Sequence, residues 1–395
     1  MGVRENEGTG KPLGILPGLK VVEMGQNLAA PYASLILGDL GADVIKIEKP
    51  GGDDARGWGP PFVGDSSVSF HMMNRNKRSA VLSLDDEADY KVFLDLVRDA
   101  DVFIHNLRPG VENKLKADAE TLMAVNPRLI YCSMSAFGHT GPMANRPGYE
   151  PLLQAFSGLI AINGDPSGPP SRVGPSVVDL GTGMWTVIGV LAAVLERQAT
   201  GVGSEVRTSL LETAVSWAGR HIADYGATGI IPPRVGTGHN SLTPYGAFEA
   251  ADGPFIIAAG NDRLFAKLAT ALEKPEWAND PRFATNAARN ENRATLLPLI
   301  SELVGRSTVA DWIACLERAG VPCAPIHSIP QVLEHPQTEA MDIILDNADD
   351  RLKLTGLPLS INGERAGFGT TAPALDEYRD ELVDSAPAPE SGHAR

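Results

Sequence analysis

Cysteine is scarce in this chain of 395 residues: Cys132, Cys315 and Cys323 are the whole supply, and no CxxC spacing occurs among them. That scarcity argues against a disulfide framework or a zinc site and for a reducing, cytoplasmic setting. Positive charge is also in deficit. The 34 Lys and Arg face 49 Asp and Glu, a formal net charge of −15. Such a balance speaks against nucleic acid or an acidic membrane surface as the main partner. A small anionic ligand needs only a few well-placed basic groups and stays possible. None of the eight His forms an HExxH-type pair, so no metal is expected. The N-terminal MGVRENEGTGKPLG is polar, without the apolar run of a signal peptide. The longest apolar helix, about 184–195, falls short of the ~20 residues that a bilayer crossing needs. A cytoplasmic globular protein with no membrane partner is the expectation.

What is present reads as alternating strands and helices. The run LKVVEM (19–24) is a strand, PYASLILGDLG (31–41) a helix closed by Gly41, and DVIKIE (43–48) a second strand. Strands near 80–84, 101–106 and 129–135 and a helix over 86–100 repeat the rhythm. It predicts an α/β fold with a mainly parallel sheet covered on both faces, and ligands beyond the carboxyl ends of its strands. A helix over about 183–198 is apolar nearly all round and is expected to be buried. A strand at 204–210 and a helix at 211–226 follow. The Gly- and Pro-rich stretch 229–245 reads as a linker. Two strands around the turn Asp252-Gly253, then helices to about 319 and a strand at 323–328, make a smaller α+β domain at 246–328. A second linker spans 329–340. The segment 341–384 returns to the large domain, whose first part is 13–228, and 385–395 is expected to be a disordered tail.

Three local features invite a functional reading. Asp179, in SVVDLGTGMW (176–185), is either a helix N-cap or a reacting group at the positive end of a helix, with Gly181 and Gly183 clearing room. Glu48 ends the second strand, where a dinucleotide fold places its ribose-binding acid. The first turn, GQNLAAP (25–31), nevertheless lacks GxGxxG, which argues against nicotinamide. Lys46, Lys49, Arg56, Arg75, Lys77 and Arg78 crowd together in an acidic chain, and Arg108 follows a strand. Such a cluster suits phosphates or carboxylates.

Several strings together resemble the family III CoA-transferases. They are GDLGADVIKIEKPGGDDARGWGPPF (38–62), NRNKRSAVLSL (74–84), NLRPGV (106–111), PGYEPLLQAFSG (147–158), VVDLGTGMWTVIGVLAAVLERQATG (177–201), PYGAF (244–248) and GND (260–262). They run in family order over nearly the whole chain. The resemblance implies a large CoA-binding domain with a dinucleotide-fold-like sheet, a smaller domain joined by long linkers, and an interlinked homodimer.

It also implies an activity. Asp179 matches the nucleophile that takes an acyl group from an acyl-CoA as a mixed anhydride and then carries CoA as an aspartyl thioester, which an acceptor carboxylate consumes. The helix end is expected to keep Asp179 ionised. Coenzyme A enters as substrate and product. Gln26, Asn27, Leu28 and Ala29 match the turn against CoA and the acyl group, and Lys49 a basic position near the adenosine. Leu82, Asn106, Leu107 and Arg108 match the pocket for the adenine and its phosphates, and Lys114 a further basic contact. Tyr149 and Glu150 match substrate-side residues, Gly181 lies beside the aspartate, and Gly260 and Asn261 match a loop closing over the site. The chain departs from relatives at PALDEY (373–378), with Asp376 and Tyr378 where Gly and His are frequent. Two alternatives remain open. An α-methylacyl-CoA racemase shares the aspartate, but GYE (148–150) puts Tyr149 where its second base, a histidine, would stand; His139 lies nearby in sequence. A non-catalytic CoA-binding subunit is the other. No residue discriminates among acyl donors or carboxylate acceptors.

Overall fold

Short runs rich in Val and Ile fit a pleated surface buried on both faces. In the computed structural model, which describes residues 11–346 and 352–384, six short strands form one sheet, and those at 20–24, 43–48 and 102–105 are such runs. The six are β1 (Lys20–Met24), β2 (Asp43–Glu48), β3 (Arg78–Val81), β4 (Val102–His105), β5 (Ile130–Ser135) and β6 (Glu205–Ser209). Their spatial order is β3-β2-β1-β4-β5-β6, with every neighbouring pair parallel. This is the doubly wound order of dinucleotide folds. It reverses between β1 and β4, and a crevice opens there at the carboxyl ends of the strands.

Helix α1 (Ala29–Asp39) follows β1, and α2 (Glu87–Asp99), capped by Asp86, packs Phe93 and Val97 against Val22, Phe103 and Tyr131. Helix α3 (Glu150–Phe156) precedes α4 (Val177–Thr200), which passes into β6 and α5 (Leu210–Trp217). Helix α4 begins well before the expected residue 183 and has 24 residues, long and apolar enough to cross a membrane by length and composition. Its glycines explain the packing instead. A Cβ on Gly183 would lie 2.8 Å from the Ala29 carbonyl oxygen, so α1 and α4 touch backbone to backbone. The expectation of full burial fails on the opposite side: Met184, Trp185, Ile188 and Leu195 are exposed at helical spacing.

The outer edge of β3 is covered by the PALDEY segment. Val81 N–H donates to Asp376 Oδ1 (2.6 Å) and Tyr378 N–H to the Ser79 carbonyl (3.0 Å). Asp376 sits at φ 65°, so this variant stretch serves as an edge cap.

The described residues divide into two compact units, 11–157 with 174–217, 336–346 and 352–384, and 158–173 with 218–335. The second takes in more than 246–328 because 158–173 is tied to the Gly-rich stretch: Gly236 N–H donates to the Gly164 carbonyl (3.0 Å) and Arg234 to that of Gly168 (2.8 Å). Its antiparallel sheet joins β7 (Tyr245–Ala250), β8 (Gly253–Ala258) and β9 (Cys323–Pro325), with β8 central. Phe255, Ile257, Phe265, Phe283, Leu296 and Ile300 form its core. The stretch 329–340 contains short helices, Ile329–Leu333 and Pro336–Ala340. The expected tail 385–395 lies outside the described residues.

Candidate active site

The crevice between β1 and β4 is bridged by one amide. Asn106, just past β4, accepts from Gln26 N–H (2.8 Å) and donates to the Gln26 carbonyl (2.8 Å). Gln26 follows β1, so the reciprocal pair fixes the first turn at the place where the strand order reverses. Around it lies a cavity of about 450 Å³ lined by Gln26, Asn27, Leu28, Ala29, Lys49, Asn106, Leu107, Arg108, Tyr149, Glu150 and Asp179. Eleven residues expected from distant parts of the chain therefore share one wall.

Asp179 does not cap α4. Ser176 holds the N-cap position, and Asp179 stands in the first helical turn. Glu150, buried at the start of α3, accepts from Gln154 Nε2 (2.6 Å) and, at 3.5 Å, from Val178 N–H, which brings the heads of α3 and α4 together. Burial raises the Asp179 carboxyl, and the neighbouring Glu150 charge adds to the rise, to about 7. The expected ionisation by the helix end is thus overridden: desolvation and a like charge win, with no cation among the groups acting on Asp179. Gly181 turns away from the cavity. A Cβ there would lie 2.8 Å from the Trp217 ring and 2.9 Å from Thr213 Cγ2, so this glycine admits α5 and not a substrate.

The basic cluster resolves into ion pairs, buried at Lys46, Arg56, Arg75 and Lys77, half-buried at Arg78 and exposed at Lys49. Lys46 Nζ contacts Glu23 Oε1 (2.9 Å), the Gly25 carbonyl (2.7 Å) and Asp53 Oδ2 (3.0 Å). Lys77 Nζ reaches Glu23 Oε2 (2.8 Å), the Pro31 carbonyl (2.8 Å) and Asn74 Oδ1 (2.9 Å). Lys77 thus uses all three ammonium protons, and Lys46 uses two in hydrogen bonds while its charge meets Asp53; neither lysine lines the cavity. Burial alone would raise Glu23, yet the two ammonium groups outweigh it and hold the carboxyl at about 2. Arg56 pairs with Glu48 (2.6 Å), Arg75 with Asp39 (2.6 Å) and Arg78 with Asp43 (2.8 Å). Glu48, bonded to Arg56, Ser79 Oγ (2.5 Å) and Asp53 N–H (2.8 Å), is equally occupied. Of the six, Lys49 alone lines the cavity, beside Asp54 (2.7 Å).

Other expected residues spread further. Leu82 lines an adjoining, more apolar cavity of about 200 Å³ with Met24, Ile47, Lys49, Leu84 and Leu107. Lys114 ends a short helix, exposed, and lines neither cavity. Gly260 and Asn261 belong to the second unit, where Asn261 caps the helix Asp262–Ala271 by accepting from Leu264 N–H (2.9 Å) and the Gly260 carbonyl accepts from Arg289 (3.0 Å). His139 lines a different cavity and its Nε2 faces the Thr208 carbonyl (3.2 Å), leaving Tyr149 without a histidine beside it among the lining residues. Sequence reasoning passes over Trp58 and Arg146, which line the Asp179 cavity. Trp58 lies inside a quoted string and Arg146 one residue before another, so proximity to the motifs is the signal that would have found them. The Arg108 and Arg146 side chains have no hydrogen-bond or ion-pair partner among the described residues.

A family model described as CoA-transferase family III matches residues 16–379. Acetyl-CoA:oxalate CoA-transferase of Acetobacter aceti is 39% identical over 96% of this chain and 98% of its own. Succinyl-CoA:glutarate CoA-transferase of Mus musculus is 35% identical over 96% of this chain and 85% of its own. The crystal structure of a CAIB/BAIF family protein from Brucella suis superimposes with a TM-score of 0.85 at 38% identity, covering 96% of this chain and all of that one.

Proposed function

The chain belongs to family III of the CoA-transferases, and from that premise we propose that Asp179 is the covalent carrier of the transfer. One observation carries the assignment: a carboxyl with no cation acting on it opens into the same cavity as the first turn at the reversal of strand order. In its ionised form an Asp179 oxygen attacks the thioester carbonyl of the donor. The C–S bond breaks, CoA leaves as thiolate, and an acyl-aspartyl anhydride remains. The thiolate then attacks Cγ of Asp179, releasing the donor acid as carboxylate and leaving an aspartyl-CoA thioester. The acceptor carboxylate attacks that thioester, and the thiolate returns to the new acyl group, which restores Asp179. No proton or redox equivalent is consumed.

In this proposal the adjoining apolar cavity with Leu82 takes the adenine, and Arg108 and Lys49 take phosphate charge. The acceptor is a short dicarboxylate. Support comes from the oxalate and glutarate in the names of two relatives, and from the unpartnered Arg146 guanidinium in the cavity, which suits a second carboxylate. The exposed stripe Met184–Trp185–Ile188–Leu195 of α4 supports a homodimer, since a contiguous apolar face of this kind marks an interaction surface.

The test is incubation with acetyl-CoA or succinyl-CoA, a hydroxylamine quench and mass spectrometry of the peptide bearing Asp179. A hydroxamate at Asp179 is expected, discharged by oxalate or glutarate added before the quench. Turnover without any Asp179 adduct would overturn the assignment. Arg146→Ala should raise KM for the dicarboxylate more than for the acyl-CoA.

A further inference from the structure

The first turn is held in a shape it would not choose by itself. Asn27 sits at φ 68°, in the left-handed region that few residues besides glycine, asparagine and aspartate adopt. Its Oδ1 is buried with no partner. Three anchors compensate. Asn106 grips Gln26 at both backbone groups (2.8 and 2.8 Å), Lys46 donates to the Gly25 carbonyl (2.7 Å), and Asn27 N–H donates to Asp53 Oδ1 (3.1 Å).

Two of these anchors come from the buried charge layer. Asp53 is itself oriented, its backbone N–H on Glu48 (2.8 Å) and its Oδ1 shared with Ala55 N–H (2.9 Å). Lys46 and Asp53 meet at 3.0 Å, and Glu23 balances both lysines, so the layer has two positive and two negative groups. The turn rests directly on it: a Cβ on Gly25 would lie 2.7 Å from Glu23 Oε1. Apolar side chains would fill this volume as well, but none offers an acceptor for Asn27 N–H or a donor for the Gly25 carbonyl.

We propose that Asp53 and Lys46 are positioning residues of the transfer reaction, setting through Asn27 N–H and the Gly25 carbonyl the turn that faces Asp179, although Asp53 also borders the adjoining apolar cavity. The inference rests on the reading of the Asp179 cavity as the active site. It assigns the buried half of the basic cluster a function other than phosphate binding.

Three variants test it: Asp53→Ala, Asp53→Asn and Asp39→Asn. The last breaks another buried ion pair of the same unit, Arg75–Asp39, at the far end of α1 from the turn. Each is measured for melting temperature, for kcat and KM with succinyl-CoA and glutarate, and for the rate of hydroxylamine-trapped adduct at Asp179. Asp53→Ala should lower kcat and the adduct rate about a hundredfold, the effect of an ångström-scale displacement. Asp53→Asn keeps an acceptor for Asn27 N–H and should recover about tenfold of that loss. Asp39→Asn should lower the melting temperature and leave the rates of the folded protein as in wild type. Equal rates per folded molecule in Asp53→Ala and Asp39→Asn overturn the proposal. If Asp53→Ala does not fold, wild-type kcat in Asp53→Asn together with a melting temperature lowered as in Asp39→Asn does the same. Absence of an Asp179 adduct in the wild type would instead refute the site assignment, so the two failures are distinguishable.

Discussion

Two acidic sites within one unit, Glu23 fully buried and Asp179 half-buried, meet opposite treatment. Glu23 lies between two lysines, and their ammonium groups hold its carboxyl down to about 2 despite complete burial. Asp179 lies beside another carboxylate, Glu150, and burial with that like charge lifts it to about 7. The chain thus sets two basic residues beneath the first turn, while no cation is among the groups acting on Asp179 at the head of α4. Charge in the first region is locked and shapes backbone; in the second no cation acts on the Asp179 carboxyl. A carboxylate without a cation is a better nucleophile, because no ion pair has to be broken before attack.

The largest test of this contrast is Asp179→Asn. Turnover should fall by about 10⁴-fold or more, the scale seen when a covalent nucleophile is removed. Stability should move the other way above neutral pH. The folded carboxyl titrates near 7 against 3.8 as its ordinary value, so the folded state binds a proton more tightly than the unfolded chain. This favours folding below pH 4 and is lost as pH rises through 7. Asparagine removes that penalty, and the melting temperature of Asp179→Asn at pH 8 should exceed that of the wild type. A lower value would show that the Asp179 charge is compensated after all.

Glu23→Gln tests the other half. It leaves two buried ammonium groups sharing a neutral amide, and removal of one member of a buried charge network costs about 3–5 kcal/mol. Chemical denaturation should show that loss. An effect under about 1 kcal/mol would mean that the lysines escape to solvent or lose their charge. Next in size is Gly183→Ala. Its methyl group would meet the Ala29 carbonyl oxygen at 2.8 Å, and overpacking of this kind costs about 1–3 kcal/mol. Gly181→Ala, which meets only side-chain atoms of Trp217 and Thr213, should cost less.

Much of the large unit was legible in the sequence because periodicity reports burial. The runs 43–48 and 129–135 are strands within a residue of expectation, and the turn after β1 does point into the crevice. Asp179 stood out as a lone acid in an apolar stretch. The resemblance set Glu150 near it, but the effect of the Glu150 charge on it was not legible, since that charge acts across helices that sequence separates by almost thirty positions. Lys46 and Lys77 failed as ligand candidates for a related reason. Composition registers a cluster of cations, but their partners Glu23 and Asp53 come from other elements, and pairing is a property of the fold. The glycines of DLGTG misled in the same way: an open space in sequence terms is filled by α1 and α5. The exposed stripe of α4 defeats the burial expectation because an all-apolar helix in one chain carries no mark of which side a neighbour covers.

The smallest effect sharpens the comparison most. Among the described residues Glu150 is the charged neighbour that acts on Asp179, and it is the second cause of its elevation after burial. Glu150→Gln keeps an acceptor for Gln154 and removes the negative charge. The adduct-forming rate of the wild type, followed from pH 5 to 9, should rise tenfold per pH unit and level off near 7, where Asp179 becomes ionised. In Glu150→Gln the bend should move to lower pH while staying above 3.8, because burial, the larger cause, persists. A bend unmoved by the substitution would assign the whole elevation to desolvation. A bend moved to the ordinary carboxylate range would assign it to Glu150, and the contrast with Glu23 would then be one of neighbouring charge alone.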